Sequence, residues 1–515
     1  MSSNIKRFAA AVVALWAGLA AVAADVPDLE WKGELTVNAG NGNFAPYYVG
    51  ALTQGKINRS KGVLLDAAVS HSLDTARRFS WAAALELCGG AASKVDYAKW
   101  TPEGELTVNR MGQSHIWLQQ LYAQIKYRGI FLEAGLKEHR SALLDNRLTS
   151  GDMVESGNSR PIPQVRAGFI NFQNIPFTKG WLQIQGEIGY GRFTDNNWLR
   201  NFYSYGSSHI NTNSWYIYRR CYFRTKPTEN LCFTFGMQAA GEIGGATVWY
   251  RRGELVRQEY ERTSIVDLLK NLIPYDNRTG VGEYYSGNNL GSWDLHLRYR
   301  LPKGAGELRA YLQKPWEKGS SVGWLNGFDG LWGLQYNFGS KHCPVEAVLF
   351  EYLYLMNQSG SLHYAPHDFP GSTLGVDVGG GDQYYNNAFS NAYANYGLGI
   401  GTPFLKAPLF NTDGYPQYTD NRVRGFHIAA LGHIVETIGW RFMLSYRQAF
   451  GDGRLPRTRV LDDFSWMAEA TWQPRQVDGL DLKLQIAMDR GSWLGNNMGV
   501  ALSATYKGNF NFRRK

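Results

Sequence analysis

The sequence predicts an all-β fold, a transmembrane antiparallel β-barrel of about eighteen strands with a few short helices in periplasmic or plug segments. Two observations predict it. Segments of about ten residues that alternate apolar and polar side chains recur from residue 79 to the C-terminus. They follow an N-terminal export signal, and many of them end in an aromatic residue, as barrel strands do at a membrane interface.

The alternation is clearest in residues 293–301. Five apolar or aromatic side chains there alternate with Asp294, His296, Arg298 and Arg300; they are Trp293, Leu295, Leu297, Tyr299 and Leu301. Successive side chains of a strand point to opposite faces, so such a segment has one apolar and one polar face. A soluble sandwich would alternate in the same way, but repetition behind an export signal favours a membrane barrel. Short connections such as residues 127–129 alternate with connections of tens of residues, which is typical of these barrels.

Residues 1–24 have the pattern of a secretory signal peptide. Lys6 and Arg7 precede an apolar run over residues 8–20, and small residues follow it at positions 21–24. We expect cleavage after Ala23 or Ala24. The alternative is a membrane anchor, but the run is short for a spanning helix. The expected location of the mature chain is the cell outer membrane.

No linker of biased composition divides the rest of the chain. We expect an N-terminal periplasmic or plug segment at residues 25–78, with residues 31–37 as a candidate first strand, and a barrel over residues 79–515. One helix is predicted outside the barrel wall. It is capped by Thr263 and ends near Pro274, with apolar side chains at helical spacing between them.

The formal charge of +9 comes from scattered basic residues, with no basic helix and no nucleic-acid-binding motif, so no nucleic-acid partner is expected. Cationic side chains in the lumen or loops would favour anionic ligands such as lipopolysaccharide or acidic polysaccharide. A solvated surface without a role is the alternative. Metalloprotease, phosphate-loop and nucleophile-elbow motifs do not occur in the sequence. We therefore expect no catalytic residues, no metal and no cofactor.

The four cysteines, Cys88, Cys221, Cys232 and Cys343, match no zinc-binding spacing. Cys221 and Cys232 flank a predicted turn at residues 226–229. If two strands reverse there, the two thiols come roughly opposite each other, and an exported protein meets an oxidising compartment. The pair is a candidate disulfide; two free thiols are the alternative.

A block rich in glycine, tyrosine and asparagine covers residues 379–387, and Tyr393, Tyr396 and residues 399–403 follow it. Tyrosine offers a ring face and asparagine offers paired donors and acceptors, groups that suit sugar recognition. The candidate ligand-binding residues are Asp382, Tyr384, Tyr385, Asn386 and Asn387, with Arg422 and Arg424 as partners for acidic sugars. The alternative is a loop folded inside the barrel, where its polar groups satisfy one another.

Residues 382–387 through 401–403 resemble the most distinctive segment of the Wzi-type capsule assembly proteins of Bacteroides-like bacteria. Further segments are similar to that family in the same order: residues 118–122, 160–166, 287–294, 351–354, 358–360 and 421–424. The resemblance implies an outer-membrane barrel with periplasmic helical elements. It also implies that the chain binds capsular or exopolysaccharide, without catalysis, and helps hold it at the cell surface.

The expected partners are capsular or exopolysaccharide, outer-membrane lipid and lipopolysaccharide, the barrel assembly machinery and polysaccharide export proteins. Two other functions stay open at this stage. The same barrel with an open lumen would be a porin or a sugar-specific channel, and a Ser/His/acid set gathered from separate strands would make it an outer-membrane hydrolase.

Overall fold

The computed structural model describes residues 29–226, 228–270, 288–317, 319–339, 344–358, 382–386 and 390–510. The predicted signal peptide of residues 1–24 lies outside the described residues. So do Cys343, Asn387 and the glycines at positions 379–381.

Eighteen antiparallel strands form a closed barrel, which confirms the predicted fold and strand count. Each strand pairs with its neighbours along the chain, and β1 also pairs with β18, where Leu29 lies opposite Phe510. A two-residue strand, Gln173–Asn174, extends β6 alongside β7. The strands are β1 (Leu29–Gly40), β2 (Gly62–His71), β3 (Phe79–Ala92), β4 (Ile116–Tyr127), β5 (Ile130–Leu136), β6 (Pro163–Phe169), β7 (Leu182–Arg192), β8 (Trp215–Thr225), β9 (Leu231–Ile243), β10 (Asn288–Arg300), β11 (Glu307–Trp316), β12 (Gly330–Asn337), β13 (Ala347–Tyr354), β14 (Val423–Val435), β15 (Ile438–Gly451), β16 (Pro456–Trp472), β17 (Leu480–Gly491) and β18 (Asn497–Phe510).

The wall of the barrel is apolar outside and polar inside. On β1 and β2, Leu35 and Leu65 are 46% and 56% exposed, whereas the adjacent Thr36 and Asp66 are each only 2% exposed. A soluble protein buries its apolar face, so this inverted pattern is that of strands whose outer face meets lipid. Within the described residues, no helix has the length and apolar character needed to cross a membrane.

The two ends of the barrel differ. The first residue of β1, Leu29, and the last residue of β18, Phe510, lie at one end, the turn end, where connections such as residues 128–129 and 436–437 are short. The other end, the loop end, carries the long connections and most elements outside the wall. They are helices α1 (Tyr47–Gly50), α2 (Asn196–Phe202), α3 (Ile265–Lys270) and α4 (Gly319–Val322), a 3-10 turn at Pro408–Phe410, the hairpin Val95–Trp100/Leu106–Met111, the pair Ala394–Asn395/Leu398–Gly399, and an outer sheet of Ser207–Thr212, Gly245–Arg251 and Glu254–Glu261. A further 3-10 turn, Pro302–Gly304, lies at the turn end.

The barrel begins at Leu29, not at residue 79. Both β1 and β2 fall inside the segment expected to precede the barrel, and only residues 41–61 between them leave the wall. The twelve residues of β1 contain the candidate first strand of residues 31–37, although Gly33 interrupts the apolar side of its alternation.

The predicted helix after Thr263 is present as α3 within the described residues. Its N-cap is Ser264, one residue later than expected. The Ser264 hydroxyl accepts from the Asp267 amide at 3.2 Å, and the Asp267 carboxylate accepts from the Ser264 amide at 2.8 Å. This reciprocal pair is a capping box.

The candidate disulfide is wrong, and Cys221 and Cys232 are free thiols. Cys221 lies opposite Met237 on β9, while Cys232 lies five residues before Met237 and pairs with Arg298 of β10. An offset of five residues corresponds to roughly 17 Å along a strand and places the two side chains on opposite faces. Thr225 of β8 pairs with Phe233 of β9, so the two strands reverse at the end of the predicted turn of residues 226–229 and not at its centre. This shift sets the register.

Candidate functional site

Within the described residues, three inserted segments pack the lumen, and we call them the plug: residues 41–61, residues 137–162, and residues 382–386 with 390–422. Their apolar side chains form one buried cluster with the inner face of the wall; it includes Leu148, Met153, Tyr384, Tyr385, Phe404 and Leu405. Barrels of this size enclose a water-filled channel unless the chain itself fills it. In the described residues, the chain fills much of it.

Polar side chains of the wall hold the plug in place. Glu351 of β13 accepts from the Thr149 hydroxyl at 2.6 Å and from the Ser150 amide at 2.7 Å. Asp152 of the plug accepts at 2.9 Å from each of the side-chain amides of Gln238 and Gln313. Buried polar groups are tolerated only when they are hydrogen-bonded, so these inward residues specify the position of the plug.

The structure places most of the predicted ligand-binding residues inside the plug. Asp382, Tyr384, Tyr385 and Asn386 are all buried, and the two tyrosine rings are at most 1% exposed. The Tyr384 hydroxyl donates to Asp329 Oδ2 at 3.0 Å, and the Tyr385 hydroxyl donates to the Met153 carbonyl at 2.6 Å.

The side-chain amide of Asn386 is also satisfied within the chain. The Asn386 side chain donates to the Tyr418 carbonyl at 2.6 Å and accepts from the Tyr418 amide at 2.9 Å. Burial raises the pKa of the Tyr384 and Tyr385 phenols well above the ordinary value, so both remain neutral donors. The block therefore has the arrangement of a loop folded inside the barrel, and it offers no open ring face to a ligand.

The two predicted arginines lie apart from these tyrosine rings. Arg422 is half-buried and donates to the Met356 carbonyl at 3.2 Å. Arg424 is exposed on the outward face of β14, donates to Gln448 Oε1 at 2.9 Å and lies 5.2 Å from the centre of the Phe450 ring. Asn387 lies outside the described residues. The structure thus brings Asp382, Tyr384, Tyr385 and Asn386 together and leaves Arg424 on the outer wall.

A surface that the sequence did not single out lies at the loop end. We call it the aromatic patch, and it covers both faces of the outer sheet: Trp100, Tyr205 and Tyr250 lie on one side with Lys99 and Arg252, and Trp249 lies on the other side with Arg257. The rings are only partly buried, and a cation lies over three of them: Lys99 at 5.2 Å from Tyr205, Arg252 at 6.0 Å from Trp100, and Arg257 at 5.1 Å from Trp249. Tyr205 and Tyr250 meet edge to face at 4.6 Å.

The Arg252-Gly253 pair is a turn signal in the sequence that could have revealed part of this patch. Arg252 and Gly253 follow Trp249 and Tyr250, and both have positive φ, at 47° and 83°. Two successive positive-φ residues make a type I′ hairpin turn, the type that suits the twist of paired strands. The pair therefore marks the hairpin that carries Trp249 and Arg257 above the wall.

Two cavities remain beside the plug. The loop-side cavity has a volume of about 280 Å³ and lies between residues 43–58 and 398–412. The turn-side cavity has a volume of about 340 Å³ and is lined by charged wall residues. Tyr47, Ala51 and Ile57 line both cavities, so this part of the plug separates them.

The lysine at the centre of the turn-side cavity, Lys56, is paired with carboxylates. Lys56 Nζ lies 2.7 Å from Asp66 Oδ2, 2.6 Å from Glu86 Oε1 and 3.2 Å from Glu138 Oε1. Among the described residues, Asp66, Glu86 and Cys88 come close enough to suggest a metal site. The Lys56 ammonium already bonds both of those carboxylates, so the arrangement is that of a buried ion-pair network.

The fold was compared with known proteins. No protein-family profile and no curated protein sequence matches the chain. Among solved structures, the chain is similar to Wzi of Escherichia coli, described as an outer-membrane protein involved in group 1 capsule assembly and a carbohydrate-binding β-barrel. That match has a TM-score of 0.54 at 13% identity and covers 97% of this chain and 88% of Wzi.

Matches to OccK5 of Pseudomonas aeruginosa and OccAB2 of Acinetobacter baumannii have TM-scores of 0.45 and 0.46 at 8% and 7% identity. Each covers 94% of this chain and 98% of the other. At these identities the likeness to Wzi concerns the fold alone. The strand closure and the inverted wall define a closed eighteen-stranded β-barrel of the outer-membrane type.

Proposed function

We propose that this chain is a non-enzymatic protein of the cell outer membrane that binds capsular or exopolysaccharide at its loop end and helps hold it at the cell surface. The observation that carries the proposal is the aromatic patch, with its partly open rings and the cations above them. Lipopolysaccharide, the barrel assembly machinery and polysaccharide export proteins are its proposed partners during insertion and assembly.

The chemistry of the patch supports a saccharide ligand. A pyranose has an apolar face that packs on an aromatic ring, and acidic sugars carry charge that cations attract. Long loops of such barrels face the outside of the cell, where surface polysaccharide is found. The fold-level likeness to a protein described as carbohydrate-binding agrees with this assignment, although it covers the fold alone.

Substitution of the two tryptophans of the patch tests the proposal. We expect the double variant Trp100→Ala/Trp249→Ala to bind purified acidic polysaccharide at least about tenfold more weakly than the unchanged protein, since exposed tryptophans often dominate binding energy. The measurement is surface plasmon resonance with the detergent-solubilised barrel.

Trp472→Ala is the matched control, because Trp472 is 48% exposed but lies at the turn end. It should bind like the unchanged protein. Unaltered binding by the double variant would refute the patch as the binding surface. Absence of binding by the unchanged protein would refute the proposed function.

A sugar-specific channel is the second candidate. It is favoured by one observation, that the two cavities share Tyr47, Ala51 and Ile57 as lining. Displacement of this one stretch of the plug would join them. Steady current through the unchanged protein in planar bilayers would favour the channel.

A further inference from the structure

The loop-side cavity has the form of a small ligand site with a mouth at the loop end. Asn43 and Thr412 are exposed at its rim, while Tyr47, Arg447 and Asp489 are buried at its floor. Its volume of about 280 Å³ is near the lower limit of about 300 Å³ for small-molecule pockets. It therefore suits one sugar unit rather than a longer stretch of polymer.

Lys406 gives the cavity an uncompensated positive charge. It lines the cavity, is half-buried, and makes no hydrogen bond or ion pair to any described residue. Burial lowers the pKa of the Lys406 ammonium, with nearby Asp420 acting in the opposite direction. An ammonium that lacks a partner in a partly desolvated site gains free energy when an anion binds beside it.

Two of the three carboxylates that act on Lys406 are already engaged with arginines, and the third, Asp413, is exposed to solvent. Asp420 makes two hydrogen bonds to Arg457, at 2.8 and 2.7 Å, and Asp463 accepts from Arg447 at 3.1 Å. Asp489 is the carboxylate among the described lining residues, and it accepts from the Tyr47 amide at 2.9 Å. With Lys406 and Arg447 as cations and Asp489 as the anion, the described lining has a net charge of +1.

A second observation points to a ligand with hydroxyl groups. Asn58 lines the same cavity, and its Oδ1 is buried without a hydrogen-bond partner among the described residues. A buried acceptor without a donor costs free energy, which a ligand hydroxyl or a bound water would recover. Phe44 and Phe410, half-buried and edge to face at 4.9 Å, offer apolar surface near the mouth.

We propose that the loop-side cavity binds one carboxylate-bearing sugar unit, a uronic acid, with its carboxylate at Lys406 and a hydroxyl at Asn58 Oδ1. The inference rests on the proposed function, because it names the class of sugar that the polysaccharide must contain. It uses none of the residues of the aromatic patch, so the two sites can be tested separately.

Calorimetric titration of the full chain in detergent micelles tests the site. The probes are a galacturonic acid trisaccharide, a neutral galactose trisaccharide and inorganic phosphate. We expect the acidic trisaccharide to bind and the neutral one to bind at least about tenfold more weakly, since charge-assisted hydrogen bonds are roughly twice as strong as neutral ones. Lys406→Met should weaken binding of the acidic trisaccharide by about tenfold, and Asn58→Ala by about threefold.

Two variants serve as controls. Lys406→Arg keeps the cation and should retain most of the binding. Lys94→Met removes the same charge from an exposed position on the loop-end hairpin and should bind like the unchanged protein. The heat-modifiable shift of folded barrels on gels verifies that each variant is folded.

The outcomes separate the two proposals. Equal binding of both trisaccharides, or binding that Lys406→Met leaves unchanged, overturns the uronic acid site while the aromatic patch stands. Phosphate that binds at least as tightly as the acidic trisaccharide overturns the sugar assignment and indicates a general anion site. If the unchanged protein binds neither the saccharide probes nor whole polysaccharide, both proposals are overturned.

Discussion

Lys56 of the turn-side cavity and Lys406 of the loop-side cavity differ in how their charges are compensated. In the turn-side cavity, Lys56 contacts three carboxylates within 3.2 Å. In the loop-side cavity, Lys406 contacts none of the described carboxylates, although the cavity has a similar volume. A paired buried charge stabilises the fold, whereas an unpaired charge beside an open mouth is available to a ligand. The difference supports a structural role for Lys56 and the binding role proposed for Lys406.

The comparison can be broken by replacing the segment of the plug that separates the two cavities, so that the cavities join. We expect this change to have the largest effect, which is an open path through the lumen. Residues 46–54 include α1, whose Tyr47 amide donates to Asp489 at 2.9 Å and whose Tyr48 hydroxyl bonds His427 at 2.7 Å. Replacing these residues with a Gly/Ser linker of equal length removes the Tyr48 hydroxyl and the α1 helix that directs the amide of position 47 to Asp489, but keeps Lys56. We expect the variant to conduct steadily in planar bilayers and the unchanged protein to be silent.

The matched control replaces residues 102–105, the exposed turn of the loop-end hairpin, with the same type of linker. It should remain silent. A silent plug variant would mean that other parts of the plug close the lumen, and the division into two cavities by residues 46–54 would be wrong.

The two lysines provide a direct comparison of stability. Lys56→Met removes the cation that Asp66, Glu86 and Glu138 share and leaves Asp66 and Glu86 with Lys32 alone, so we expect it to lower the free energy of unfolding by about 3 kcal/mol. Lys406→Met removes a partly desolvated charge that pairs with none of the described carboxylates. This substitution should change the free energy of unfolding by less than about 1 kcal/mol. Urea unfolding of the barrel in lipid vesicles measures both. Equal destabilisation by the two substitutions would show that Lys406 has a structural role.

Much of the barrel could be predicted from the sequence because its signal is local. Alternation along β10, residues 288–300, can be read from neighbouring side chains without knowing what they pair with. The sequence predicts a plug segment within residues 25–78, but it does not show how the plug packs, because the contacts of the plug join distant parts of the chain. The bond from Thr149 to Glu351 spans 202 residues.

The candidate site shows the same limit. Tyrosine and asparagine suit a sugar-binding surface and a self-satisfied loop equally well, and only burial distinguishes the two. Tyr384 proves to be enclosed, with its hydroxyl bonded to both Asn326 and Asp329. Lys406 lies in a stretch without any recognisable motif. What distinguishes it is the lack of a partner, which a sequence does not show.

The smallest expected effect concerns a buried acid of the loop end that also lacks a counter-ion. Asp195 is 3% exposed; its Oδ2 accepts from the Tyr396 amide at 3.0 Å, and its Oδ1 has no partner among the described residues. Burial raises the pKa of Asp195 from 3.8 to about 6. Between these values the folded state binds more protons than the unfolded state, so stability falls as the pH rises from about 4 to about 6 and is level above that.

The loss of stability between pH 4 and pH 6 should be at most about 3 kcal/mol. We expect it to be local to the part of the plug around Tyr396, whose amide Asp195 accepts from. Amide exchange of residues 393–400 at a series of pH values measures it. Asp195→Asn keeps the acceptor oxygen but cannot ionise, so this variant should lack the pH dependence. If the unchanged protein holds this segment equally well at pH 4.5 and pH 7, Asp195 is ionised and compensated in the folded state. Asp195 at the loop end would then resemble the carboxylates around Lys56 in the turn-side cavity, which are paired with a cation.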